Sequence, residues 1–170
     1  LAVIVAREGS KGLPGKNAKL LGGHPLLAWP IASAVRAQRV ARVICSTDGS
    51  NLASIARAAG AEVPFMRPAS LATDDARVLD VLSHAAVSAD PEGTLPYVAL
   101  LQPTSPFVTA SDIDDAVGIL HDSAADTVIA AYRAGQRHPR IMFRPHADRT
   151  VAWLEPDSAL DARRQELPPV

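Results

Sequence analysis

The segment AREGSKGLPGKN (6–17) gathers the residue types that hold a polyphosphate. Arg7, Lys11 and Lys16 supply positive charge. Gly9, Gly12 and Gly15 supply backbone that can approach an anion closely and take positive φ, and Ser10 and Asn17 add polar side chains. All three lysines of the chain (Lys11, Lys16, Lys19) lie within nine residues, whereas arginine, 14 in all, carries the positive charge elsewhere. Residues 1–20 hold Arg7, Lys11, Lys16 and Lys19 against Glu8, a net of +3, which leaves −4 for the other 150 in a chain of formal charge −1. Two familiar phosphate loops are excluded by spacing. A Walker loop ending at Gly15-Lys16 needs glycine at Ser10 and a hydroxyl residue at Asn17, and a dinucleotide G-x-G-x-x-G ending at Gly15 also fails at Ser10. The simpler alternative is a solvated basic turn.

Other candidates are weaker by themselves. LLQPTSP (100–106) sets Gln102, Thr104 and Ser105 after an apolar run, with Pro103 and Pro106 stiffening the turn, yet polar turns at strand ends are ordinary. Asp48 in STD suits a helix cap as well as a site, and Arg67 in MRPASLATDD suits a solvated surface as well as a ligand contact. The five histidines show no i,i+4 pair, so no metal-histidine site is inferred, and Cys45 reads as a small core residue.

The elements that must position these residues follow from the apolar pattern. LAVIVA (1–6), ARVICS (41–46), YVALLQ (97–102) and TVIAAY (127–132) are short continuous runs suited to strands buried on both faces. Helical spacing appears at Leu52, Ile55, Ala56 and Ala59, at Val78, Leu79, Leu82 and Ala86, and at Ile113, Ala116, Val117 and Leu120. Ser50-Asn51, Thr73-Asp74 and Ser111, the last with Asp114 three residues on, are candidate caps. HPLLAWPIASAVRAQ (24–38) reads as a helix entered through Pro25, with a kink or late start at Pro30. The alternation predicts an α/β fold: a doubly wound, Rossmann-like, mainly parallel sheet over 1–132, with ligands beyond the carboxyl ends of its strands. Residues 133–170 lose helical periodicity and read as a strand-and-loop arm.

With 170 residues and 48% apolar content, the chain can bury a core without disulfides, and its single cysteine, Cys45, excludes an internal disulfide framework. No apolar run approaches the ~18 residues of a membrane span, and the start has no signal-like pattern, so the expected setting is cytoplasmic with no membrane partner. Near-neutral charge argues against nucleic-acid binding. Leu1 starts inside a strand pattern and Val170 follows LPP, so the chain is expected to be part of a longer protein.

Taken together, AVIVAREGSKGLPGKN, STD (46–48), EVPFMRPASLATDDA (62–76), LLQPTSPFVTASDID (100–114) and RRQELPPV (163–170) resemble the N-acylneuraminate cytidylyltransferases, or CMP-sialic acid synthetases, collinearly over nearly the whole chain. The resemblance implies transfer of CMP from CTP to the anomeric hydroxyl of a nine-carbon sugar acid, with release of pyrophosphate. It makes Arg7 and Lys16 the triphosphate grip, with Ser10, Lys11, Gly12 and Asn17 along the nucleotide and Arg67 and Asp74 near it. It sets Gln102, Thr104 and Ser105 against the sugar acid and the reacting phosphate, Gln102 with a catalytic role. It also implies a homodimer, in which Arg140 and Arg164 of a dimerisation arm reach the neighbour's sugar carboxylate, and Mg²⁺ whose aspartate ligands lie beyond residue 170. Val78 stands where the family commonly has a hydroxyl residue, which bears on nucleobase choice. Alternatives are a cytidylyltransferase for another acid (pseudaminate, legionaminate or a phosphonate) and a catalytically silent nucleotide-binding module. The 3-deoxy-manno-octulosonate relatives fit less well, since their early loop usually has a Ser-Thr-Arg-Leu-Pro type of motif.

Overall fold

A computed structural model describes residues 1–10, 12–131, 143–148 and 150–153. The chain divides into two compact units, Leu1–Ile129 and Ala130–Val170.

The first unit is built on a parallel sheet of order β4-β1-β5, comprising β1 (Ala2–Val5), β4 (Val43–Ser46) and β5 (Ala99–Leu101). Register pairs Ile4 with both Cys45 and Leu101, so the three strands end side by side at one edge. Beyond β4 the sheet is extended by one parallel bridge between Ile44 and Glu62, where Cys45 N–H donates to Glu62 O and Glu62 N–H donates to Val43 O, both at 2.8 Å.

Strand alternation divides the core between two faces. Ala2, Ile4 and Cys45 join Leu27, Ile31, Leu52, Ala56 and Ile113 on one face. Leu27 immediately precedes α1 (Ala28–Arg36), which carries Ile31; Leu52 and Ala56 come from α2 (Ser50–Ala58) and Ile113 from α4 (Ala110–Asp122). Val3 and Ile44 pack with Ala85 and Ala89 of α3 (Val78–Ala89) on the other. Helices on both faces of a parallel sheet make the unit doubly wound, as the sequence predicts.

One local expectation, the late start of the helix at Pro30, holds, and several others are corrected. Helix α1 spans Ala28–Arg36, starting late as Pro30 requires, because a proline in the first turn has no internal hydrogen bond to lose. His24-Pro25 forms no helix entry. It is β3, paired antiparallel with β2 (Leu20–Leu21) across Gly22 and Gly23, whose φ values of 59° and 85° make the tight turn. The capping box of α4 is Thr109 with Asp112, two residues before the expected Ser111 and Asp114. Asp114 instead accepts hydrogen bonds from the Gln38 and Arg39 amides at the end of α1. Helices α2 and α3 begin at Gly49 and Arg77 without side-chain caps. The fully buried side of α3 is Val81, Ala85 and Ala89 rather than the Val78-Leu79 side, and Leu79 is exposed. The apolar run at 127–131 pairs with no strand among the described residues, since an apolar run becomes a strand only where a ladder partner meets it.

In the second unit the described residues form a short hairpin, β6 (Phe143–Pro145) with β7 (Val151–Trp153), in which Phe143 stacks on Trp153 with ring centroids 4.2 Å apart. Arg140, Arg164 and the RRQELPP segment lie outside the described residues. No helix among the described residues is long and apolar enough to cross a membrane.

Candidate functional site

Three loops leave the common edge of the sheet, after Val5, Ser46 and Leu101. The first carries the basic glycine segment. Arg7, two residues past β1, directs its guanidinium to Asp74 at 2.7 Å, with both side chains about one third exposed. An exposed pair of this kind contributes little stability, about 0–1 kcal/mol, so Arg7 can exchange its partner for another anion at small cost. Ser10 is half-buried and Gly12 to Gly15 are exposed; Lys11 lies outside the described residues.

Of the three loop glycines only Gly15 takes a positive φ, 64°, and it leads into a short helical turn, Lys16–Ala18. Gly9 and Gly12 have ordinary φ, correcting the expectation for them, and a Cβ on either would meet nothing within 4 Å. That open space is consistent with backbone left accessible to a ligand. Lys16 opens the turn half-buried. Asn17 is buried, and its side-chain amide donates to Arg7 O at 3.0 Å. The Asn17 carbonyl accepts from Leu27 N–H, which ties the loop to the start of α1.

Arg67 is not a surface residue. It is 7% exposed; its Nε donates to Ser46 Oγ at 3.1 Å, and one terminal nitrogen donates to Ala6 O at 3.2 Å and to Ser46 O. Its own amide donates to Thr47 O. Burial pushes the guanidinium below its usual pKa, opposed by the nearby Asp48 carboxylate, yet arginine stays charged at any physiological pH. The structure therefore sets Arg67 at the ends of β1 and β4, joining them through backbone acceptors. Asp48 does not cap α2. Its carboxylate accepts from Glu8 N–H at 2.9 Å, across to the glycine loop.

At the β5 edge, Gln102 and Thr104 are exposed and face each other, Thr104 Oγ1 donating to Gln102 Oε1 at 3.4 Å, while Ser105 N–H closes the turn on Gln102 O at 3.0 Å. Val78 is the first residue of α3 and half-buried. Cys45 lies under the edge with its thiol pushed up to about 12 by burial, so it has no nucleophilic role at neutral pH.

The edge thus brings Arg7, Ser10, Gly12, Lys16 and Asn17 into one loop, with Arg67 and Asp74 beside Arg7. Gln102, Thr104 and Ser105 follow the adjacent strand. The sequence reading missed what Ser46, Thr47 and Gly49 do; the available signal was a run of small polar residues directly after a buried strand. Among the described residues no group of three or more His, Cys, Asp or Glu side chains could hold a metal ion.

A parallel sheet flanked by helices, with a basic, glycine-bearing loop at the end of its central strand, defines a doubly wound α/β protein, the class in which ligands bind beyond the carboxyl ends of the strands. The family profile described as cytidylyltransferase matches residues 1–169, and the chain belongs to that family. It is 42% identical over 160 residues to the N-acylneuraminate cytidylyltransferase of Escherichia coli O18:K1:H7, covering 92% of this chain and 36% of that protein. It is 40% identical over 131 residues to the CMP-N,N'-diacetyllegionaminic acid synthase of Legionella pneumophila, covering 76% of this chain and 56% of that protein. Among solved structures it resembles a CMP:2-keto-3-deoxy-manno-octonic acid synthetase complexed with CTP, with a TM-score of 0.59 at 26% identity over 73% of this chain and 48% of that one. The chain therefore spans from about a third to just over half of each of these relatives.

Proposed function

We propose that the protein containing this chain transfers CMP from CTP to the anomeric hydroxyl of a sialic-acid-like nonulosonic acid and releases pyrophosphate. The observation that carries this reading is Arg7 at the end of the central strand, leading the loop that also bears Lys16, with its guanidinium half-open beside an exchangeable carboxylate. In the reaction the hydroxyl oxygen forms a bond to the α-phosphorus and the bond from that phosphorus to the bridging oxygen breaks. The electron pair leaves on pyrophosphate and the hydroxyl proton passes to solvent or a base. Arg7 and Lys16 meet the charge that builds on the leaving oxygens, which favours the transition state over the ground state. Gln102, Thr104 and Ser105, one strand away, orient the attacking acid. A second reading, with an acid of the legionaminate type, is supported by the 40% identity to the legionaminic acid synthase.

Magnesium would be held largely by the CTP phosphates, since it commonly takes one or two carboxylates beside them, and no cluster of three or more His, Cys, Asp or Glu side chains occurs among the described residues. The proposal is that magnesium comes with CTP and with ligands elsewhere in the protein, and that the protein works as a cytoplasmic homodimer. The test crosses CTP, UTP, GTP and ATP with several nonulosonic acids and Mg²⁺, using the full-length protein and following pyrophosphate. Release with CTP and one acid is expected. CTP binding without release from any pair would replace the enzyme with a silent nucleotide-binding module. Light scattering checks the dimer, and a monomer at assay concentration would remove it from the proposal.

A further inference from the structure

Two consecutive peptide groups, 6–7 and 7–8, are engaged on either side of Arg7 by side chains from three different parts of the chain. Ala6 O accepts from Arg67, Arg7 O accepts from Asn17 Nδ2 at 3.0 Å, and Glu8 N–H donates to Asp48 Oδ1 at 2.9 Å. Ala6 N–H in turn donates to Ser46 O at 3.1 Å, which continues the β1–β4 ladder into the loop. Gly49 completes the arrangement. A Cβ there would come within 2.6 Å of a Glu8 carboxylate oxygen, which can swing away, and 3.0 Å of Glu8 Cβ, which would have to give by a few tenths of an ångström, so glycine lets the Glu8 segment lie closely against the β4 turn. Gly49 N–H donates to Thr47 Oγ1, and Thr47 is fully buried, so the turn that presents Asp48 is anchored in the core.

We propose that Asp48 is a positioning residue for the nucleotidyl-transfer site. Its carboxylate, acting through the Glu8 amide, fixes the backbone that aims Arg7, and Gly49 supplies the clearance this requires. The inference rests on the reading of Arg7 as a phosphate grip. On this proposal Asp48 acts by accepting a hydrogen bond through Oδ1, which is committed to the loop backbone. A displacement of about 1 Å in a gripping group can cost about 10²-fold in rate, so a side chain remote from the phosphates can matter this much.

The experiment compares Asp48→Ala, Asp48→Asn and Gly49→Ala with the wild type in the full-length protein. It reads melting temperature, hydrogen exchange of the 6–10 segment, and kcat and KM for CTP by pyrophosphate release. For Asp48→Ala the expected result is faster exchange at residues 6–10 and a fall of about 10- to 100-fold in kcat/KM for CTP, with a melting temperature close to the wild type. Asp48→Asn retains a carbonyl acceptor and is expected to recover most of both losses, and Gly49→Ala to reproduce Asp48→Ala. The proposal is overturned if Asp48→Asn restores slow exchange yet stays as inactive as Asp48→Ala, which would make the negative charge itself the requirement. It is equally overturned if Asp48→Ala changes neither exchange nor kcat/KM. Should the wild type release no pyrophosphate with any nucleotide, the functional reading fails, while the exchange comparison still decides whether Asp48 fixes the loop.

Discussion

The loops after β1 and β5 leave neighbouring strands at the same edge, yet they are held in different ways. After β1, side chains from three separate segments bond successive backbone groups of residues 6–8, and two of those side chains, Asn17 and Arg67, are buried. After β5, the Gln102–Ser105 turn closes on itself, Thr104 bonding Gln102, with Gln102, Thr104 and Ser105 exposed and Phe107 86% exposed beyond them. A group that must meet a fixed, highly charged leaving phosphate gains from a backbone set before the ligand arrives, since no reorganisation is then needed during reaction. On the proposed reading, the β5 turn meets the acid acceptor, and a turn that meets a variable acceptor can remain locally closed and adjust its side chains. The division suits a family whose relatives carry names with different sugar acids and share CMP.

The largest effect that would sharpen this comparison is at Arg7. Arg7→Ala in the full-length protein is expected to lower pyrophosphate release from CTP by about 10²–10³-fold. Its melting temperature should stay almost unchanged, because the guanidinium pairs with a partly exposed carboxylate, an interaction worth little in stability. Lys16→Ala should behave alike, and near-normal release from either variant would remove the grip assignment.

Next comes Arg67, where the effect moves from rate to stability. Arg67→Ala strands the Ala6 and Ser46 acceptors in a buried site and is expected to cost about 2–3 kcal/mol of unfolding free energy. In a chain of this size that is a fall of roughly 5–10 °C in melting temperature. Arg67→Lys should recover little, since one ammonium cannot reach Ser46 Oγ, Ser46 O and Ala6 O with the fork of a guanidinium. Full stability in Arg67→Ala would erase the contrast between the two loops.

A smaller change is expected on the β5 side. Gln102→Ala should raise KM for the sugar acid by about 10-fold, of the size a lost hydrogen bond produces, and leave both KM for CTP and melting temperature nearly unaffected. A change confined to CTP would instead join the two loops into one nucleotide surface.

The smallest effect reports how dry the held side is. Cys45 keeps its proton to about 12 in the native state, whereas an unfolded thiol loses it near 8.5. Its contribution to stability is therefore constant below pH 8.5 and declines as pH rises from there toward 12, because only the unfolded state releases the proton in that window. Alkylation of the native protein should accordingly stay slow at pH 9 and become fast on unfolding, as mass spectrometry can follow.

Much of the fold was legible because burial on two faces writes itself as continuous apolar runs. LAVIVA, ARVICS and YVALLQ became the three sheet strands, and the doubly wound layout followed from their alternation with helical spacing. Boundaries and caps were less legible. Thr109-x-x-Asp112 and Ser111-x-x-Asp114 offer the same capping chemistry, and only the contact of Asp114 with the end of α1 decided between them. The run at 127–131 has the composition of a strand, but composition supplies no ladder partner.

The candidate site divides along the same line. Arg7, Lys16 and the glycines could be found in sequence because charge, backbone freedom and a strand-end position coincide within twelve residues. The contacts of Asp48 and Arg67 could not be read there, although the family resemblance set Arg67 near the nucleotide, since each sits far along the chain from the loop it contacts and lone polar residues have ordinary surface and capping alternatives. The sequence by itself determined the family, the α/β layering and the loop that carries the charge, because these depend on local pattern. The tertiary structure alone decided that Arg67 is buried on strand-end carbonyls and that Asp48 bonds the Glu8 amide. Those contacts exist only once β1 and β4 lie side by side and bring residues 6–8, 46–49 and 67 together.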